Sequence, residues 1–186
     1  MAKLDSIGLI ELSSVARGFV VQDAALKAAN VELLMARTIC SGKYIVAFAG
    51  DVASVTAATQ AGAAAGTGAV IEKRVITGIH PSIFPAITGT VYLEPHQAGA
   101  LGVIETFSAS SIIEVADAAV KAADVTLFRV HLAMALGGKG FVLLTGDVAS
   151  VEAAVAVGSR IAGEEGILVD RAVIAAPARE LFKEFV

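Results

Sequence analysis

With 186 residues, the chain has room for one or two small domains. It is 56% hydrophobic and 17% charged, with a mean hydropathy of +0.76, so apolar that large contacts between subunits are expected. A net charge of −4, with no basic face or basic–aromatic platform, argues against a nucleic-acid partner.

In chain order, the N-terminus MAKLDS lacks the charged, apolar and small-residue pattern of a signal peptide, and a lone cysteine cannot form an intrachain disulfide. Both point to an intracellular protein. Residues 7–12 are β-prone. Residues 15–29 show helical spacing, with Val15, Phe19, Ala25, Leu26 and Ala29 apolar and Arg17, Gln22, Asp23 and Lys27 polar. Residues 31–39 predict a second strand, Cys40 to Gly42 a turn, and 43–49 a returning strand. Gly50-Asp51 signals a helix start, with the Asp51 carboxylate accepting from the first free N–H groups. An alanine-rich helix should run to about residue 65, be broken by Gly66 and Gly68, and lead into a strand over 69–77. Residues 52–71 hold no charge and approach the length of a membrane span, but Ser54, Thr56, Thr59, Gln60 and several glycines favour a small-residue helix followed by a turn. The uncharged run 75–93 contains Pro81 and Pro85 and cannot be one helix.

The same order then repeats. Ile7-Gly8-Leu9-Ile10-Glu11 returns as Leu101-Gly102-Val103-Ile104-Glu105, with Glu105 placed 94 positions after Glu11. The helix segment DAALKAA from Asp23 returns as DAAVKAA from Asp117 at the same offset. Gly50-Asp51-Val52-Ala53-Ser54-Val55 returns unchanged from Gly146, now at an offset of 96. The two extra residues fall where Thr38-Ile39-Cys40-Ser41-Gly42-Lys43 aligns with the longer segment from Leu132 to Lys139. Two homologous domains are expected, about 1–92 and 98–186, joined near Glu94-Pro95-His96, with a short amphipathic helix over 178–185 closing the second. The element order β-α-β-β-α-β predicts an α/β (α+β) fold of two tandem ferredoxin-like, split βαβ, domains.

A strand reading IGxIE, a helix ending DAAxKAAxV, a glycine-containing loop and a GDVASV helix start together resemble the bacterial microcompartment shell-protein domain. The resemblance covers nearly the whole chain, twice. It implies the tandem-domain class, in which three chains form a flat pseudohexameric tile located in the compartment shell within the cytoplasm, contacting other shell proteins. The loop TICSGK, Ile79-His80-Pro81-Ser82 and Met134-Ala135-Leu136-Gly137-Gly138-Lys139 narrow it to a group similar to the T-type shell proteins of propanediol-utilisation microcompartments. That resemblance implies a 4Fe-4S cluster at the central pore, bound through Cys40, for electron transfer or cluster delivery, with an encapsulated redox enzyme as a possible partner. It also implies a pore lined by Thr38, Ile39, Ser41, Gly42, Ala135, Leu136 and Gly137, and tile-edge roles for Lys27 and Lys121. Two departures stand out: Ser41 replaces an expected proline, and Ala175-Ala176-Pro177-Ala178 replaces a Pro-Arg-Pro-His edge motif.

Read without the family, a lone cysteine is most often a small buried hydrophobe, and no Cys/His cluster accompanies it. A threefold axis changes the count, because one cysteine per chain becomes three equidistant thiolates. Lys27 and Lys121 have a bland reading as solvated lysines, but the edge role is favoured, since a lysine stem can cover apolar surface while its ammonium reaches carbonyls across an edge. Gly137-Gly138-Lys139-Gly140 lacks the leading glycine and the following Ser/Thr of a phosphate loop. Asp51 and Asp147 read as helix caps, and Glu11 and Glu105 as structural hydrogen-bonding groups. His80, His96 and His131 are scattered, so no catalytic constellation emerges and no enzyme is predicted. The alternatives are a cluster-free tile with a metabolite pore and, from another class, a ferredoxin-like trimer binding small molecules for signalling.

Overall fold

The computed structural model describes residues 4–93, 98–133 and 136–183. The chain divides into two compact units, Met1–Pro81 and Ser82–Val186. The join expected at 94–96 lies outside the described residues. The segment 82–93, which the repeat landmarks leave with the first copy, groups with the second unit.

In the first unit β1 (Ser6–Leu12) is followed by α1 (Val15–Ala28), β2 (Glu32–Ile39), β3 (Lys43–Gly50), α2 (Val52–Gly66) and β4 (Val70–Thr77). The sheet is antiparallel with strand order β2-β3-β1-β4. This is the split βαβ order. The period-two alternation of a strand sends Ile10 and Leu12 to one face, where they form a core with Val46, Phe48, Val21, Ala25, Val55 and Ala58. α1 starts where Ser14 Oγ accepts from Arg17 N at 3.3 Å. α2 starts where Asp51 Oδ1 accepts from Ser54 N at 2.9 Å while Ser54 Oγ donates to the other carboxylate oxygen. Small residues let α2 lie close to its neighbours: a side chain at Gly62 would collide with Ile10 and press on Ala25 and Val21.

The second unit repeats the order. β5 (Ala100–Thr106), α4 (Ser111–Ala122), β6 (Thr126–Leu132), β7 (Gly140–Gly146), α5 (Val148–Glu164) and β8 (Leu168–Ile174) form a sheet of order β6-β7-β5-β8. Asp147 caps α5 through Ser150 as Asp51 caps α2. α4 begins differently. Ser110 makes no side-chain cap, and Ser108 Oγ accepts from Ser111 N instead.

The sequence does not predict α3 (Ile83–Thr88), which packs on β6 with Ile83, Phe84, Ala86 and Ile87 buried. Pro85 is tolerated because it sits in the first turn, where its missing N–H has no helical partner to lose. Gly89 ends the helix at φ 71°, a left-handed stop that glycine takes without strain. Of the predicted 178–185 helix, only Glu180–Lys183 is helical among the described residues; this is α6. Its Phe182 joins Leu93, Leu101, Phe128 and Leu143 on the sheet face away from α4 and α5.

Candidate functional site

The β2–β3 hairpin closes tightly. Ile39 faces Lys43 across the ladder, and Cys40–Gly42 turns the chain between them through left-handed backbone. Ser41 has φ 64° and Gly42 φ 72°. A proline at 41 could not adopt that angle, since its ring holds φ near about −65°. The loop with Ser41 therefore has a shape that the expected proline would forbid. Thr38, Ser41 and Gly42 are exposed, Ile39 is buried beneath them, and Cys40 is half-buried.

The β6–β7 loop is longer by the two residues counted from the repeat. Ala133 N donates to Lys139 O at 3.0 Å and Lys139 N to Leu136 O at 3.3 Å, so the ends of this longer loop are tied to each other. Gly137 and Gly138 have φ 64° and 95°, and a side chain built at either would meet nothing within 4 Å. Leu136 is half-buried and Gly137 exposed; Ala135 lies outside the described residues.

Behind each loop stands an ion pair absent from the sequence-based reading. Lys43 Nζ donates to Glu11 Oε1 at 2.7 Å, and Lys139 Nζ donates to Glu105 Oε1 at 2.7 Å. Glu11 and Glu105 are thus structural, as expected. The signal for their partners was present: Glu11 with Lys43 returns as Glu105 with Lys139.

Lys27 and Lys121 both lie in the last turns of their helices and reach back one turn to Asp23 and Asp117, at 2.7 Å and 2.5 Å. The Lys27–Asp23 pair is exposed on both sides and contributes little stability, whereas Asp117 is only 14% exposed. Asp51 and Asp147 are held below the usual carboxylate range by hydrogen bonds from Ser54 and Ser150 respectively. His131 stacks on Phe141 with ring centroids 4.8 Å apart, His80 is half-buried after β4, and His96 lies outside the described residues.

Among the described residues no three His, Cys, Asp or Glu side chains gather where they could hold a metal within one chain. Cys40 therefore offers one thiolate per chain, the donor type that iron–sulfur clusters require. That donor set fits a cluster only where several copies of the loop meet.

A BMC-domain family model matches residues 6–79 and again residues 100–177. The chain belongs to the family of bacterial microcompartment shell proteins. It carries the domain in tandem. It is 42% identical over 181 residues to the bacterial microcompartment shell protein PduT of Citrobacter freundii, covering 97% of both chains. A crystal structure of a microcompartment protein from Desulfitobacterium hafniense superposes with a TM-score of 0.93 at 45% identity, over 97% of this chain and 99% of that one. The shell protein PduA of Salmonella typhimurium is 37% identical over 81 residues, which is 42% of this chain and 86% of PduA. The chain is accordingly a shell protein of PduT type, located in a microcompartment shell within the cytoplasm.

Proposed function

We propose that three copies of the chain assemble into one pseudohexameric tile, with the β2–β3 and β6–β7 loops meeting at its centre, and that the three Cys40 thiolates hold a 4Fe-4S cluster there. The role is structural rather than catalytic. When bound, the cluster supplies one-electron chemistry at a point that spans the shell. The chain's own part is to present Cys40 from a short turn, to leave Ser41 and Gly42 open on its flank, and to provide a second loop with no further thiolate. Three thiolates leave a fourth iron for a non-protein ligand or a partner's side chain, which suits transfer of electrons, or of the cluster itself, to a redox enzyme inside. Lys27 and Lys121, exposed at the ends of α1 and α4, are proposed to meet neighbouring shell proteins along the tile edge.

The observation that carries this reading is the position of Cys40: it sits in the turn between β2 and β3, in a chain 42% identical to a PduT shell protein along nearly its full length. The test is anaerobic purification with UV–visible and EPR spectra and iron and sulfide analysis, beside Cys40→Ser. A cubane signal at about one cluster per three chains, absent from the variant, supports it. An intact trimer that takes up no cluster on reconstitution leaves a tile whose centre passes metabolites. A monomer or dimer in solution removes the threefold site altogether.

A further inference from the structure

The ion pair behind each loop occupies a place that the ladder leaves unsupported. β1 ends at Leu12, which faces Tyr44, and β5 ends at Thr106, which faces Gly140. Lys43 and Lys139 are therefore the first residues beyond the strand that supports the hairpin from within the sheet. β2 and β6 are edge strands. From Lys43 and Lys139 outward, neither hairpin is paired with β1 or β5. Glu11 is in register with Ile45, two residues along β3 from Lys43, so Glu11 and Lys43 point to the same sheet face. The lysine stem spans that gap and returns the tip of the hairpin to the supporting strand at 2.7 Å, in both units. The loops differ in length and chemistry, yet the tie behind them is the same in atoms and distance.

The two ties are not equally enclosed. The Glu11 side chain is 11% exposed against 35% for Lys43, whereas Glu105 and Lys139 are 28% and 36% exposed. A carboxylate taken that far out of water depends more on its partner. The more enclosed tie lies behind the loop that carries the cysteine.

We propose that Lys43 and Glu11 are positioning residues of the Cys40 loop: their ion pair clamps the neck of the β2–β3 hairpin so that the thiol is presented at one fixed place, while Lys139 and Glu105 clamp the other loop. This rests on the reading of the loops as the centre of the tile only for its biological use; the clamp itself is a property of each unit.

The test uses the full-length, iron-free protein and reads the rate at which iodoacetamide alkylates Cys40, as a full pH profile whose high-pH plateau reports access to the thiolate rather than its fraction. Lys43→Met and Glu11→Gln are each expected to raise the plateau rate by about five-fold or more through local opening of the turn, with the oligomer unchanged by native mass spectrometry. Lys43→Arg should restore the parental rate, and the exchanged pair Glu11→Lys with Lys43→Glu should restore most of it. Lys139→Met should leave Cys40 within about two-fold of the parent, because its opening is confined to the other hairpin. Should Lys43→Met not fold, Lys43→Met with Glu11→Gln leaves no orphaned carboxylate and gives the same readout. Parental plateau rates in the folded variants overturn the proposal, as does an equal rise in Lys139→Met. Failure of the cluster reading shows separately, as absence of iron and sulfide from the reconstituted parent.

Discussion

The two halves of the chain solve one packing contact in opposite ways. In the first, Gly18 of α1 lies against the ring of Tyr44: a side chain built at 18 would stand 2.2 Å from the ring. In the second, Ile112 of α4 occupies the place of Gly18, and Gly140 of β7 that of Tyr44. A side chain at Gly140 would stand 2.7 Å from Ile112. Bulk has moved from strand to helix, and in both units a glycine stands opposite it. What the two units share here is one large side chain facing a glycine, not either residue. This contact adjoins the loops, because Tyr44 and Gly140 are the last strand residues paired with β1 and β5. Beyond that contact the loops diverge, one to a tight cysteine turn and one to a wider glycine turn, while the strand order stays the same.

The largest way to sharpen the contrast is at the loops. Cys40→Ser should lose bound iron completely and leave thermal stability and oligomeric mass unchanged, as metal analysis and calorimetry would read. Loss of the trimer instead would make the residue a packing element. Next come the packing exchanges. Gly18→Ile alone should destabilise by about 1–3 kcal/mol through overpacking against Tyr44, measured by urea unfolding. Combined with Tyr44→Gly it should recover part of that, a coupling of about 1–3 kcal/mol in a double-mutant cycle. Ile112→Gly with Gly140→Tyr is the mirror experiment. Simple additivity in both cycles would break the comparison.

Effects no larger than these are expected at the ion pairs. Lys43→Met should cost about 1–3 kcal/mol, between the values for exposed and buried pairs, and Lys139→Met less than about 1 kcal/mol. Equal losses would mean that the difference in enclosure carries no energy. The smallest effect concerns the two caps, which should behave alike. Hydrogen bonds from Ser54 and Ser150 hold the folded Asp51 and Asp147 carboxyls below the ordinary aspartate value. Their contribution is therefore complete above that value and lost as pH falls through the depressed one. Asp51→Asn and Asp147→Asn should flatten the acid limb of the stability–pH curve by the same small amount. A clear inequality would show that the helix starts are not equivalent.

Much of the fold was legible because a duplicated chain prints its own alignment. The strands, the four long helices and both aspartate caps follow from periodicity and from landmarks that occur twice. α3 was hidden by Pro85, a residue read as a breaker whose effect vanishes in a first turn. The Cys40 turn was placed correctly from glycine chemistry, but its conformation was not: Ser41 at φ 64° carries no sequence sign that distinguishes it from the proline expected there. The Lys43–Glu11 pair was missed because each residue was considered along its own strand, whereas the bond runs across the ladder from beyond its end. Gly18 and Tyr44 were missed for a related reason. Pattern analysis compares like with like, and an exchange of sizes between two positions looks like divergence at both.

The two-residue difference between the hairpin loops has a consequence for how variation accumulates in such a protein. In a ring of identical single-domain subunits, any substitution in the loop is repeated at every position around the ring, and a change useful once is imposed everywhere. Here Cys40 and its counterpart segment from Leu132 to Lys139 are encoded separately but delivered in fixed proportion, because one peptide backbone joins them. The duplication acts as a stoichiometric device: it guarantees an equal number of reactive and unreactive loops in any assembly, with no need for two different subunits to find each other.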